Sequence, residues 1–168
     1  EVRDVAGPGK VEVGDSFFVV YAKRAEPGEG SGWGVTIFRE SIEVIGGGEA
    51  FEYEVGDGLW RIYTFKKVFA EGLTGGKVNY LDRRLGEAFI EVVHEKYAAK
   101  LGDLLGESVA GVFVDHEGDY GWKLAWSEDL AREYEAKSGD DIREVLPLMI
   151  DKDCGGYYAR VRRWWYET

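Results

Sequence analysis

The alternation of strand-like and helix-like segments after residue 58 constrains the fold more than any other feature of the chain. The pattern predicts a strand over 60–68, a helix over 81–105, a strand over 109–114, helices over 127–137 and 141–149, and a last helix from about residue 157. This order is typical of βαβ units, in which a helix connects two parallel strands by a right-handed crossover. We therefore expect strands 60–68 and 109–114 to lie side by side and parallel.

The predicted helix ends carry residues that commonly begin and end helices. Asp82 and Ser127 can accept hydrogen bonds from the free N–H groups of a first helical turn. Gly106 and Gly139 can adopt the left-handed backbone conformation that ends a helix. These boundaries therefore depend on local chemistry as well as on periodicity.

The first 58 residues have a different pattern, in which short strands rich in Val, Ile, Phe and Tyr are separated by glycine-rich turns. The predicted strands are 17–22, 33–38, 41–45 and 51–55. Short strands joined by tight turns favour antiparallel pairing. The sequence thus divides into a β-rich antiparallel segment (1–58), which is an insertion or an accessory segment, and a β/α segment (59–168).

The last predicted helix carries an apolar and aromatic stripe that includes Val161, Trp164 and Trp165, and no closing strand follows it. A (β/α)8 barrel takes roughly 250 residues, so segment 59–168 holds only a few of its units. The expected fold class is α/β, a partial (β/α)8 TIM-type barrel with a β-rich N-terminal segment. The remainder of the parent barrel is then an expected partner.

Composition and charge narrow the classes of function. The chain is 45% apolar and 14% aromatic, which excludes a disordered protein, and its net charge of -11 disfavours nucleic acid as a partner. No apolar run is long enough for a membrane span. The single cysteine, Cys154, excludes an internal disulfide. Targeting cannot be read from this sequence, and an extracytoplasmic or secreted location is only slightly favoured.

Residues 111–126 combine a short apolar strand with carboxylates, an imidazole and aromatic rings. Asp115, Glu117 and Asp119 alternate along the chain, so their side chains point to one side while the chain stays extended. His116 then points to the other side. Neighbouring carboxylates repel each other and their pKa values separate, which lets one act as an acid while another stays ionised, as in glycoside hydrolysis.

Two other interpretations of these carboxylates remain open. Acidic residues after a strand often form a solvated turn or cap the next helix. Alternating oxygen donors with an interleaved glycine also suit calcium, but Lys123 and Leu124 occupy the region in which an EF-hand has its bidentate Glu. We expect no cofactor and assign no metal ligand, with calcium as the one ion left open.

Three aromatic residues follow the carboxylates within a few positions: Tyr120, Trp122 and Trp126. Flat rings with a polar edge can stack on a sugar ring while their N–H or O–H groups stay hydrogen-bonded. The chain has six Trp and ten Tyr, so some of these rings must belong to the core. Their position beside the acidic run favours carbohydrate as the ligand.

A set of short motifs occurs in order along the second part of the chain. The motifs are Gly-Asp-Gly-Leu-Trp-Arg-Ile-Tyr-Thr-Phe (56–65), Val-Asn-Tyr-Leu-Asp (78–82), Glu-Lys-Tyr (95–97), Gly-Val-Phe-Val-Asp-His-Glu (111–117), Ala-Trp-Ser-Glu-Asp-Leu (125–130), Leu-Pro-Leu (146–148) and Ala-Arg-Val-Arg (159–162). Over residues 50–168 this set resembles the barrel core of large glycoside hydrolases of the α-L-rhamnosidase type. The resemblance implies that Asp115 and Glu117 lie in a sugar pocket. This chain reads Asp-His-Glu-Gly-Asp-Tyr-Gly where many relatives have Asp-Glu-Pro or a longer acidic loop.

The predicted function is that of a glycoside hydrolase fragment, inactive as an isolated chain because the second catalytic carboxylate is expected on a later strand. Glu117 is the predicted general acid, and Asp115 holds or tunes it. The predicted substrate-binding residues are His116, Asp119, Tyr120, Trp122 and Trp126. The alternatives are a non-catalytic carbohydrate-binding module with a flat aromatic strip on the 17–55 strands, and an interaction domain in which the acidic loop caps a helix.

Overall fold

The computed structural model describes residues 1–24, 37–68, 71–72, 75–76, 78–113, 126–151, 163–164 and 167. The chain forms two units, one made of Glu1–Val68 with Ala131–Thr168 and the other of Phe69–Leu130. None of the described helices is long and apolar enough to cross a membrane.

The first unit is built on an antiparallel sheet with the strand order β1-β4-β2-β3. Its strands are β1 (Val2–Val13), β2 (Ser16–Lys23), β3 (Glu43–Gly48) and β4 (Phe51–Phe65). β4 pairs with β1 along one edge and with β2 along the other. The C-terminal part of this long strand, residues 60–63, therefore has antiparallel neighbours on both sides. Gly58, where the sequence pattern changes, lies inside β4.

The paired strands β1 and β4 are irregular at facing glycines. The register of β1 against β4 shifts between Gly7 and Gly9. A Cβ atom on Gly7 would lie 1.8 Å from the carbonyl oxygen of Gly56, so the two backbones approach too closely for any side chain. Arg3 donates a hydrogen bond of 2.7 Å to the carbonyl oxygen of Glu12. Because residues so far apart on an extended strand cannot meet, β1 must bend between them.

One face of the sheet holds a cluster of buried apolar side chains: Val13, Val19, Tyr21, Val55 and Ile62. Val5, Val11, Ile45, Phe51, Tyr53 and Trp60 pack against this cluster and are partly buried. Alternate residues of a strand face opposite sides. Since Phe18, Val20 and Ala22 are buried as well, β2 is covered on both faces.

The described residues from Phe69 to Phe113 include a hairpin of two-residue strands and one long helical segment. The hairpin pairs β5 (Glu71–Gly72) with β6 (Gly75–Gly76). α1 (Arg83–Phe89), a π-helical stretch (Ile90–His94) and α2 (Glu95–Leu101) follow one another, and a 3-10 turn (Gly102–Leu104) ends them. Asp82 caps α1 by accepting a hydrogen bond of 3.0 Å from the N–H of Arg84, as predicted. The helix ends before the predicted stop at Gly106.

Two further helices, α3 (Glu128–Ser138) and α4 (Ile142–Ile150), follow. α4 packs against β2 and β3. Tyr63, which pairs with Val20, donates a hydrogen bond from its hydroxyl group to Asp151 at the C-terminal end of α4. α4 therefore covers the sheet face that lies opposite the apolar cluster.

The prediction of a partial (β/α)8 barrel is wrong. The sheet of the first unit is antiparallel throughout. In the predicted strand 109–114, Val109 forms only an isolated bridge to Leu105, and residues 111–113 have no regular structure. Residues 60–65 of the other predicted strand belong to β4 and pair with β2 in antiparallel orientation, and residues 60–63 also pair with β1, so no edge is free there for a parallel partner.

Several local predictions are confirmed, and one region was missed. Ser127 caps α3 and Gly139 follows α3 with φ +77, as predicted. The predicted helix 141–149 corresponds to α4, which Asp141 caps. The predicted strand 51–55 and residues 60–65 of the predicted strand 60–68 belong to the single strand β4, and β1 was not predicted. Most of the predicted strand 33–38 and of the last predicted helix lies outside the described residues. The described residues of that helix, Arg163, Trp164 and Glu167, are helical.

Candidate functional site

Most of the predicted site falls in 114–125, which lies outside the described residues. That range contains Asp115, His116, Glu117, Asp119, Tyr120 and Trp122. Trp126, the last predicted member, is described and half-buried. Within the described parts of the chain, no three His, Cys, Asp or Glu side chains are grouped so that they could hold a metal ion. The geometry of the site can therefore be built from Trp126 and its neighbours.

Hydrogen bonds hold both the backbone and the side chain of Trp126. Its backbone carbonyl oxygen accepts a hydrogen bond of 2.6 Å from Nδ2 of Asn79. Its indole Nε1–H donates to Oε1 of Glu128 at 3.2 Å. The first bond fixes the backbone and the second restrains the ring, so the position of this side chain is determined from both ends.

Asn79 belongs to a tight turn immediately before α1. Its Oδ1 accepts a hydrogen bond of 3.1 Å from the N–H of Leu81, and its carbonyl oxygen accepts one of 3.0 Å from the N–H of Asp82. Asparagine side chains favour this kind of turn because they bind the backbone two residues further on. The turn leads directly to the helix cap, which fixes the Asn79 side chain relative to α1.

Trp126 stands at the equivalent place before α3. The next residue, Ser127, caps α3 by accepting a hydrogen bond of 3.0 Å from the N–H of Leu130. Asp82, by its hydrogen bond, and Asp129, by a weaker electrostatic attraction, both raise the pKa of Arg84. The N-terminal ends of α1 and α3 thus come together where the acidic and aromatic segment ends.

Sequence reasoning singled out Trp126 but missed Asn79 and Glu128. Both residues belong to motifs of the resemblance, Val-Asn-Tyr-Leu-Asp and Ala-Trp-Ser-Glu-Asp-Leu. An asparagine three residues before a capping aspartate was a usable signal for a turn. Its contact with Trp126 joins residues 47 positions apart, and no local pattern predicts that.

The aromatic residues of the first unit pack on one another. Tyr21 stacks on Trp60 with ring centroids 4.1 Å apart and meets the edge of Tyr53 at 4.9 Å. Trp60 donates its indole N–H to the carbonyl oxygen of Gly56 at 2.9 Å. Burial raises the pKa values of Tyr21 and Tyr53. Tyr21 belongs to the buried apolar cluster, and Tyr53 and Trp60 pack against it.

A network of charged side chains joins the sheet to the end of α4. Arg61 donates from Nε to Asp4 at 2.6 Å and from Nη1 to Asp151 at 2.7 Å. The hydrogen bond from Arg61 lowers the pKa of Asp4. Burial, followed by the contact with Asp151, raises the pKa of Tyr63. Each of these charges has a partner within the network. The network therefore joins the end of α4 to the sheet.

The described residues of the first unit also line a shallow depression of about 510 Å³. Its lining includes Val13 and Phe51, with Arg3, Glu12 and Glu52 among the charged residues. Arg3 is bound to the Glu12 carbonyl oxygen, and Glu52 to Lys10 at 2.7 Å. The depression is open to solvent and offers few groups that could select a ligand.

Comparison of the chain with protein-family models, with curated proteins and with solved structures finds no match.

Proposed function

We propose that the chain carries the acidic and sugar-binding residues of a glycoside hydrolase, with the site on segment 115–126. One observation carries the proposal: the alternating carboxylates Asp115, Glu117 and Asp119 are followed at once by aromatic residues, and the run ends at Trp126. The hydrogen bonds to Trp126 support it, because a sugar binds a ring that is already held in place at a lower cost in entropy.

Hydrolysis assigns different tasks to the side chains. Glu117 donates a proton to the glycosidic oxygen as the bond between that oxygen and the anomeric carbon breaks. Asp115 stays ionised, and its repulsion keeps the proton on Glu117. A water molecule supplies the new hydroxyl group on the anomeric carbon, and the proton that this water loses returns the Glu117 carboxylate to its acid form. His116 and Asp119 bind sugar hydroxyls, and the walls are formed by Tyr120, Trp122 and Trp126.

The alternative is a binding module that uses rings on the 17–55 strands. Tyr21 and Tyr53 lie against other rings there, which leaves little free ring face for a sugar. The packing of these two residues favours the acidic segment as the sugar site. Binding without hydrolysis remains an outcome that experiment distinguishes.

The test compares Glu117→Gln, Trp122→Ala and the control Glu107→Gln in the protein as its gene encodes it. We measure the turnover of natural glycosides of several sugars, and we use methyl glycosides to measure binding by calorimetry. Glu117→Gln should lower turnover by about 10²–10⁴ and change affinity little, because the amide keeps its shape but cannot donate the proton. Trp122→Ala should mainly weaken binding. Glu107, an exposed carboxylate outside the segment, should be replaceable without effect.

Each contrary result has a distinct meaning. Normal turnover by Glu117→Gln on natural glycosides excludes Glu117 as the acid. Sugar binding without turnover of any substrate replaces the hydrolase with a binding module. Absence of binding to every glycoside tested refutes the carbohydrate site.

A further inference from the structure

The hydrogen bond between Asn79 and Trp126 joins two segments that are 47 positions apart in the sequence. At 2.6 Å it is a short contact for an N–H donor and a carbonyl oxygen. It is made to the backbone of Trp126 and leaves the indole N–H for Glu128. Because one end of this bond lies in the turn before α1, the position of Trp126 depends on that turn.

The orientation of the Asn79 carboxamide follows from its other contact. Oδ1 accepts the N–H of Leu81, so the amide nitrogen must be the atom directed at Trp126. Only a donor is stable that close to a carbonyl oxygen. The turn bond from Asp82 to the Asn79 carbonyl oxygen restricts the backbone as well. The donor is thus held in place before any ligand arrives.

We propose that Asn79 is the positioning residue of the candidate sugar site, because its carboxamide fixes the backbone of Trp126 while Glu128 restrains the indole ring. The consequence of this role is that Trp126 is held ready to stack on a sugar, and this consequence rests on the proposed function. Supporting residues of this kind set binding geometry without touching the ligand. Asn79 acts through Trp126 and is not itself assigned a sugar contact.

The sharpest variant changes one atom of the side chain. Asn79→Asp keeps the shape and the acceptor for Leu81 but puts an oxygen opposite the Trp126 carbonyl oxygen. At pH 7 the ionised carboxylate is repelled, and the bond to Trp126 is lost. The protonated acid can donate to the carbonyl oxygen, so the pKa of the introduced carboxyl is raised. The bond should therefore return as pH falls through that pKa. Asn79→Ala is the matched control, because it loses the bond and cannot regain it.

The position of Trp126 is measured by fluorine NMR of protein labelled with 5-fluorotryptophan. The chain has six Trp, and Trp126→Phe identifies the Trp126 signal by its disappearance. Both Asn79 variants should shift or broaden this signal at pH 7. Only Asn79→Asp should recover it at acid pH. The signal of Trp60, which stacks on Tyr21 in the core, should stay unchanged and shows that the first unit is folded.

The consequence for binding is measured by titration with methyl glycosides, including methyl α-L-rhamnopyranoside, while the same signal is observed. Affinity should fall about five- to tenfold in both Asn79 variants, the effect of losing one hydrogen bond, and return at acid pH in Asn79→Asp alone. An unchanged Trp126 signal in both variants overturns the positioning role. If that signal moves in the variants but responds to no glycoside in the unsubstituted protein, Asn79 still positions Trp126 and the sugar site is what fails.

Discussion

The two units of the molecule differ in how far their apolar side chains are buried. Among the described residues, every buried apolar side chain except Leu130 belongs to Glu1–Val68 with Ala131–Thr168. In the unit formed by Phe69–Leu130, large apolar residues of the helical segment are open to solvent: Phe89 is 51% exposed and Tyr97 is 62% exposed. The sheet-based unit therefore builds a core of its own, whereas the helical unit leaves much of its apolar surface uncovered.

This difference follows from the pairing of the strands. β2 is buried on both faces, by the apolar cluster on one side and by α4 on the other, and network contacts through Arg61 and Asp151 fix α4 at its C-terminal end. A single helical segment has no second layer on which to bury its apolar side. The helical unit is held by hydrogen bonds at helix ends, such as that from Asn79 to Trp126.

The largest effect on stability is expected at the close approach of β1 to β4. Gly7→Ala puts a methyl group 1.8 Å from the Gly56 carbonyl oxygen, and only a backbone shift can relieve that clash. We expect a loss of about 3 kcal/mol or more in the free energy of unfolding. Urea unfolding followed by tryptophan fluorescence measures it.

Gly9→Ala is the matched control for this prediction. A Cβ atom on Gly9 meets no atom within 4 Å, so the substitution should change the free energy of unfolding by no more than about 0.5 kcal/mol. Equal effects of the two substitutions would mean that the close approach of β1 to β4 does not limit the stability of the sheet unit.

The next largest effect is expected in the network under α4. Asp151→Ala leaves the hydroxyl group of buried Tyr63 and one side of the Arg61 guanidinium without an acceptor. Losing a partner in a buried network costs about 2–4 kcal/mol. Glu52→Ala provides the comparison, since the Lys10–Glu52 pair is largely exposed and pairs of that kind contribute about 0–1 kcal/mol. Thermal and urea unfolding of both variants measure the free energy of unfolding. A similar small decrease in both variants would mean that the network does not fix α4 to the sheet.

Much of the local structure could be predicted from the sequence. Asp82, Ser127 and Asp141 begin helices where the pattern indicated, because each offers an oxygen to N–H groups two or three residues further on. Gly139 ends α3 because its positive φ suits a residue without a side chain. These signals act within one turn of a helix, so a single sequence contains them.

The pairing of the strands could not be predicted from the sequence. β4 reads as two strands because Gly56 and Gly58 interrupt its apolar pattern, and β1 was missed because Gly7, Pro8 and Gly9 interrupt it in the same way. An apolar run such as that near 109–114 does not reveal whether a neighbouring strand has a free edge. The same limit applies to the site, where Trp126 was predicted from its neighbours but the donor that holds it lies far away in sequence.

The smallest effect is expected on the exposed side of the helical unit. Tyr97→Ser and Phe89→Ser remove rings that are already more than half exposed, so each should change the free energy of unfolding by about 0.5 kcal/mol or less. Self-association at high concentration, followed by light scattering, should decrease because exposed apolar patches promote contact between molecules. Tyr134→Ser is the control, since that ring is fully buried and its loss should cost about 3 kcal/mol or more. A loss from Tyr97→Ser as large as that from Tyr134→Ser would mean that the helical face is covered in solution, and the contrast between the two units would then not hold.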